Sequence, residues 1–186
     1  MDTLQLVLIG LLGIALMGGT VAFGLWLSRR GREDHNVRAQ LINAAFSAVA
    51  ARRGDTVISG EPYEHPMMGE FQGIDRVRGV RGALTFRMIY TQGGSDSPDV
   101  FSISVGPIGA PTGRLKKNAR DLSPESRALV GEFVDLGHTI CVEPESKENN
   151  RLVVTLDETR RDALEPEILT SLVERAVALA KALARS

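Results

Sequence analysis

Residues 106–117, GPIGAPTGRLKK, carry the residue types that cradle phosphate: glycines in a loop that follows an alternating segment, then basic side chains. Their spacing does not fit that chemistry. A phosphate-binding loop needs G-x-x-x-x-G-K-[ST]. Here Gly109 and Gly113 are separated by three residues, Arg114 and Leu115 follow, and Pro107 and Pro111 remove backbone donors. What is left is a loop with a basic tip, Arg114, Lys116, Lys117 and Arg120. At an anionic membrane surface each such residue adds about 1 kcal/mol of attraction. These four are therefore the candidate contact for an anionic lipid headgroup or a small anionic ligand, and a solvated loop is the plain alternative. Arg76, Arg78 and Arg81 form a second basic group that could make an anion-facing edge, although such arginines are more often the solvent face of a strand.

Other reactive residue types do not converge. His138 and Cys141 have H-x-x-C spacing, but on a strand residues three apart point to opposite faces and cannot hold one ion. His65 lies in GEPYEHP near Glu61 and Glu64, in a proline-flanked loop, and His35 lies in a polar connector. No H-E-x-x-H, paired-cysteine or G-x-S-x-G pattern is present. Ser102 and Ser104 alternate with core residues as the outward face of a strand, and Asp96, Asp99, Asp157, Glu158 and Asp162 sit among turn residues. The expectation is no cofactor, no metal and no catalytic residue, with a leaning against an enzyme. An enzyme whose site assembles only in space stays open as an alternative.

Composition limits the classes further. The chain has 186 residues, and all 22 basic residues together with 22 of the 23 acidic ones lie at or beyond Arg29. That balance gives no support to a nucleic-acid binder, which carries a basic excess. One cysteine excludes an internal disulfide. Arginine outnumbers lysine 18 to 4, a bias that hints at a GC-rich bacterial genome.

The elements that must position any site begin with Leu4–Leu27, a stretch without a charged residue. As a helix it reaches about 36 Å at 1.5 Å per residue, enough to cross a hydrocarbon core of about 30 Å. The first three residues lack the basic n-region of an export signal, and the run is too long for one. An uncleaved transmembrane helix is expected. Arg29, Arg30 and Arg32 flank one end only, so they set the topology: N-terminus outside, the rest cytoplasmic, at a bacterial inner (plasma) membrane. An outward-facing domain is the other possibility. Ala15, Gly18, Gly19, Ala22 and Gly24 have the small-xxx-small spacing of close helix contact, against the plain reading that glycine is simply common in membrane helices.

The remainder is divided into a basic connector, 28–35, and one domain, 36–186. Asn36 reads as the cap of an amphipathic helix that ends at Gly54, followed by a short strand at Thr56–Ser59 and a loop at 60–69. Phe71–Val80 reads as one strand. Leu84, Phe86, Met88 and Tyr90, then Phe101, Ile103 and Val105, alternate as an antiparallel hairpin with one buried face. Ser123-Pro124 starts a helix, Thr139–Glu143 and Arg151–Leu156 form a second hairpin, and a last helix starts at Pro166. The fold expected is α+β: a transmembrane helix, then two layers of mainly antiparallel sheet and about three helices. The function expected is a membrane-anchored, non-enzymatic interaction module, with a protein partner or a second copy of the chain. A sensor of anionic headgroups or small ligands through residues 114–120 is the alternative.

Overall fold

The computed structural model describes residues 3–66, 69–91, 99–117, 121–147, 149–157 and 165–185; for residues 3–11, 14 and 157 the description is of backbone only. The first element is one helix, α1, Thr3–Arg53. It stops where the sequence predicts: Arg52 and Arg53 occupy the last turn, Gly54 takes φ 68°, and the Asp55 N–H donates to the Ala50 carbonyl at 2.9 Å. It does not start at Asn36. Residues 28–36 contain no proline, and the weakest helix former among them, Gly31, costs only about 1 kcal/mol relative to alanine. A helix already propagating passes through such a stretch without a new cap.

Among the described residues, no helix is long and apolar enough to cross a membrane. The candidate span Leu4–Leu27 falls partly on residues 4–11 and 14, whose side chains lie outside the described set.

After Gly54 the chain forms β1, Thr56–Ile58, then β2, Tyr63–His65, and β3, Gly69–Phe71. There follow β4 (Arg76–Arg81), β5 (Leu84–Thr91), β6 (Val100–Ile108) and β7 (Gly113–Arg114). Helix α2 (Pro124–Asp135) precedes β8 (Thr139–Pro144) and β9 (Asn150–Asp157), and α3 (Pro166–Leu183) ends the chain. The protein divides into two compact units, Met1–Gln40 with Glu61–Gly73, and Leu41–Gly60 with Ile74–Ser186.

In the first unit, β2 and β3 pair as an antiparallel hairpin with Tyr63 opposite Phe71. Their rings stack, with centroids 4.8 Å apart, and the buried His35 ring meets Phe71 edge-on at 5.1 Å. The neighbouring Asn36 holds the hairpin backbone: its Nδ2 donates to the Glu70 carbonyl at 3.3 Å, and its Oδ1 accepts from the Gln72 N–H at 2.9 Å. The amide that the sequence assigns to a cap thus serves a tertiary contact, and part of the loop expected at 60–69 is strand.

The second unit is a seven-stranded sheet of order β1-β4-β5-β6-β9-β8-β7, with every neighbouring pair antiparallel. Strict alternation gives it one apolar face, from Val77, Phe86 and Met88 through Phe101 and Ile103 to Leu152, Val154 and Ile140, all buried. Residues of the three helices complete this core: Ile42, Phe46 and Val49 of α1, Val130 and Phe133 of α2, and Leu169, Val173 and Ala176 of α3. Each large side chain so buried contributes about 1.5–3 kcal/mol. The fold is α+β, with a mostly antiparallel sheet and three helices.

The expected strand Phe71–Val80 is two strands. Between them Asp75 accepts from the Gly60 N–H at 3.0 Å and donates its own N–H to Asn43 Oδ1 at 2.8 Å. Gly60 lies so close to the Ile74 backbone that a Cβ there would overlap it. The chain therefore leaves the second unit at Gly60 and re-enters beside it, which breaks the strand. Pro107 falls where the β6–β9 register shifts, between Val105 and Ile108, so the ladder loses nothing by its missing donor.

Candidate functional site

Helix residues pack on one face of the sheet, and the outward positions of its other face are exposed or partly exposed. Alternation sets its chemistry. On β4, Val77 and Gly79 turn inward while Arg76, Arg78 and Val80 turn outward; on β5, Arg87 and Ile89 turn outward between buried neighbours. The register then joins strands into rows. Arg78 is opposite both Thr56 and Arg87, Arg87 is opposite Ser104, and Ser104 is opposite Val153. The same row continues through Cys141 to Arg114 on the far edge strand.

Two arginines directly opposite one another on a sheet repel. Arg87 has a loose counter-charge, Glu145, at 3.9 Å, and Arg151 reaches Glu143 at 3.4 Å while its Nε is buried with no partner among the described residues. Arg76 and Arg78 are exposed, and among the described residues neither makes an ion pair. A positive cluster therefore stands on β4 and β5, where the neighbouring outward side chains of the strands are hydroxyls and aliphatics and the one described carboxylate nearby is Glu145.

The third arginine grouped with them in sequence belongs elsewhere. Arg81 turns inward, donates through both terminal nitrogens to Asp55 at 2.7 Å, approaches Glu174 at 3.4 Å and lies over the Phe86 ring at 4.8 Å. The hydrogen bonds to Asp55 raise its pKa above the ordinary value, against desolvation. This is a structural ion pair.

Of the four basic loop candidates, three are described, and all three are exposed. Arg114 sits on β7 facing with Cys141, Lys117 is tied to Asp135 by two hydrogen bonds of 2.7 and 2.8 Å, Lys116 is exposed, and Arg120 lies outside the described residues. Of the expected turn carboxylates, Asp99 accepts from the Tyr90 hydroxyl at 2.6 Å, and Asp96, Glu158 and Asp162 lie outside the described residues. His138 packs near the Phe133 ring in the turn before β8, where burial lowers its pKa; Cys141 is half-exposed on the uncovered face. His65 lies in β2 opposite Gly69. Among the described residues no three of His, Cys, Asp and Glu are placed to hold a metal ion.

No protein-family model, curated protein or solved structure matches this chain. Its chemistry must be read from its own residues.

In α1, Phe23 and Trp26 stack at 5.9 Å and the Arg30 guanidinium lies 5.5 Å from the Trp26 ring centre. Ala15, Gly18, Gly19, Ala22 and Gly24 are exposed, and nothing lies within 4 Å of where a Cβ would stand at Gly18, Gly19 or Gly24. Arg29, Arg30 and Arg32 follow within the same helix. The residues that sequence reasoning missed are His35 and Asn36, whose hairpin contacts leave no periodic trace, and Arg87, whose place beside Arg78 follows only from strand register.

Proposed function

We propose that the chain is a single-pass membrane protein, N-terminus outside, whose α+β part is a non-enzymatic interaction module on the cytoplasmic side of an inner (plasma) membrane, engaging a protein partner or a second copy. One observation carries this reading: the uncharged stretch Leu4–Leu27 is followed at once by Arg29, Arg30 and Arg32, with no basic residue before it. The helical backbone over that stretch supports it, as do exposed apolar side chains such as Leu16 (63%), Phe23 (60%) and Trp26 (51%). An aromatic pair next to arginines also suits a membrane–water boundary. The described side chains, 12, 13 and 15–27, are fewer than the roughly 20 residues a span needs.

A reporter active only in the cytoplasm, fused after Ser186, tests the topology, and alkaline carbonate extraction tests the anchor. An active fusion in the carbonate-resistant membrane fraction is expected. An expressed but inactive fusion reverses the orientation, and extraction into the supernatant removes the anchor.

A further inference from the structure

We infer that the uncovered sheet face docks on an anionic phospholipid surface through Arg76, Arg78 and Arg87. Arg78 and Arg87 are cross-strand partners, and Arg76 stands two residues from Arg78 on the same face. Directly opposed Cβ atoms are about 5 Å apart, so three guanidinium groups share one small area. Holding them there without an anion is unfavourable, and the only described counter-charge in reach, Glu145 at 3.9 Å from Arg87, serves one of the three. Their outward neighbours Thr56, Ser102 and Ser104 add hydroxyl donors and no negative charge.

The same patch selects among anionic partners. No aromatic side chain belongs to the described outward positions of these strands, so bases have nothing to stack on, which disfavours single-stranded nucleic acid. Ile58 (47% exposed) and Val80 (61% exposed) flank the arginines on the same face. Aliphatic side chains that enter the headgroup layer, beside guanidiniums that fork onto phosphate, suit the surface of an anionic bilayer. The surface is a sheet face with no pocket needed, and a bilayer is flat. The inference rests on the membrane-anchored reading, which supplies the lipid.

Cys141, the only cysteine, lies half-exposed in the same row and on the same face, and is a ready reporter. The full chain, labelled there with a fluorophore, is reconstituted in nanodiscs that contain a headgroup-labelled quencher lipid. The discs are phosphatidylcholine alone or phosphatidylcholine with phosphatidylglycerol. Each arginine multiplies the docked-to-free ratio about fivefold at an anionic surface. Quenching should therefore report a ratio at least about fivefold higher in anionic discs. Salt at about 1 M should abolish the difference. The triple change Arg76→Gln, Arg78→Gln, Arg87→Gln should abolish it too, while the corresponding triple change to Lys should keep most of it. Equal quenching of the wild-type chain in the two discs overturns the inference, whatever the variants do, and so does a difference that survives in a folded Gln variant. Carbonate extraction of the same discs reports separately on the anchor. Should that fail, co-sedimentation of the chain with phosphatidylglycerol vesicles but not phosphatidylcholine vesicles still decides the docking.

Discussion

Arg81 and Asp55, 26 residues apart in the chain, meet in a two-pronged ion pair, with Asp55 only 4% and Arg81 only 14% exposed at the side chain. Asp55 lies just after the end of α1 and Arg81 at the end of β4, so the pair fastens the helix terminus to the sheet. Removal of one partner strands the other. Arg81→Ala should lower unfolding stability by about 3–5 kcal/mol, because it leaves a buried carboxylate alone. Glu174→Ala, which removes a more exposed and more distant partner, should cost less than about 1 kcal/mol. Urea titrations of the two variants against the parent check the ordering.

The half-buried His138 should make stability depend on pH. Desolvation holds its folded pKa below the ordinary 6.5, so the unfolded chain takes up the proton first as pH falls. The contribution is complete above the unfolded value and is lost as pH drops through 6.5 towards the lower folded value. His138→Gln should flatten the urea midpoint between about pH 7.5 and about pH 5.5, where the parent midpoint falls.

Asn36 should act locally. Asn36→Ala removes both hydrogen bonds to the β2–β3 hairpin, each worth about 1 kcal/mol. Amide exchange at Gln72 should rise several-fold, with little change at Val154 in the centre of the sheet. Equal acceleration at both positions would show that the hairpin and the sheet open as one cooperative unit.

Ser123 accepts from the Ser126 N–H at 3.1 Å and lies 2.9 Å from the fully buried Ser126 hydroxyl. Ser123→Ala loses the cap of α2 and leaves that hydroxyl without this partner, so stability should fall by about 1–2 kcal/mol. Ser123→Asp should recover most of it. Thermal unfolding monitored by circular dichroism separates the two.

Much of the fold is legible because local chemistry decides it. Leu84, Phe86, Met88 and Tyr90 alternate cleanly, as do Phe101, Ile103 and Val105, and the two runs pair as expected. The second hairpin also pairs as read, Ser123-Pro124 starts α2, and Pro166 starts α3. What escaped depends on contacts between distant residues. Strands β2 and β3 have three residues each, too short to show a period, and β3 is held by a helix residue more than thirty positions upstream. The break at Gln72–Asp75 depends on the approach of Gly60 to Ile74.

The arginines show the same division. Period two already separates Arg81 from Arg76 and Arg78, since odd positions of β4 turn inward and even positions outward. Grouping all three by proximity in sequence overlooked that rule. The meeting of Arg78 with Arg87 required the register of the turn at Gly82, and the pairing of Lys117 required the position of Asp135.

The unbroken course of α1 bears on how the protein is dismantled. Arg29, Arg30, Arg32 and Arg38 would be easy targets for trypsin in an extended connector, but all four lie within hydrogen-bonded helical backbone. A protease must first draw its substrate into an extended strand, so cutting there waits on local unwinding. The N-terminal segment should therefore be cut from the folded chain at these four arginines only as fast as that part of the helix opens.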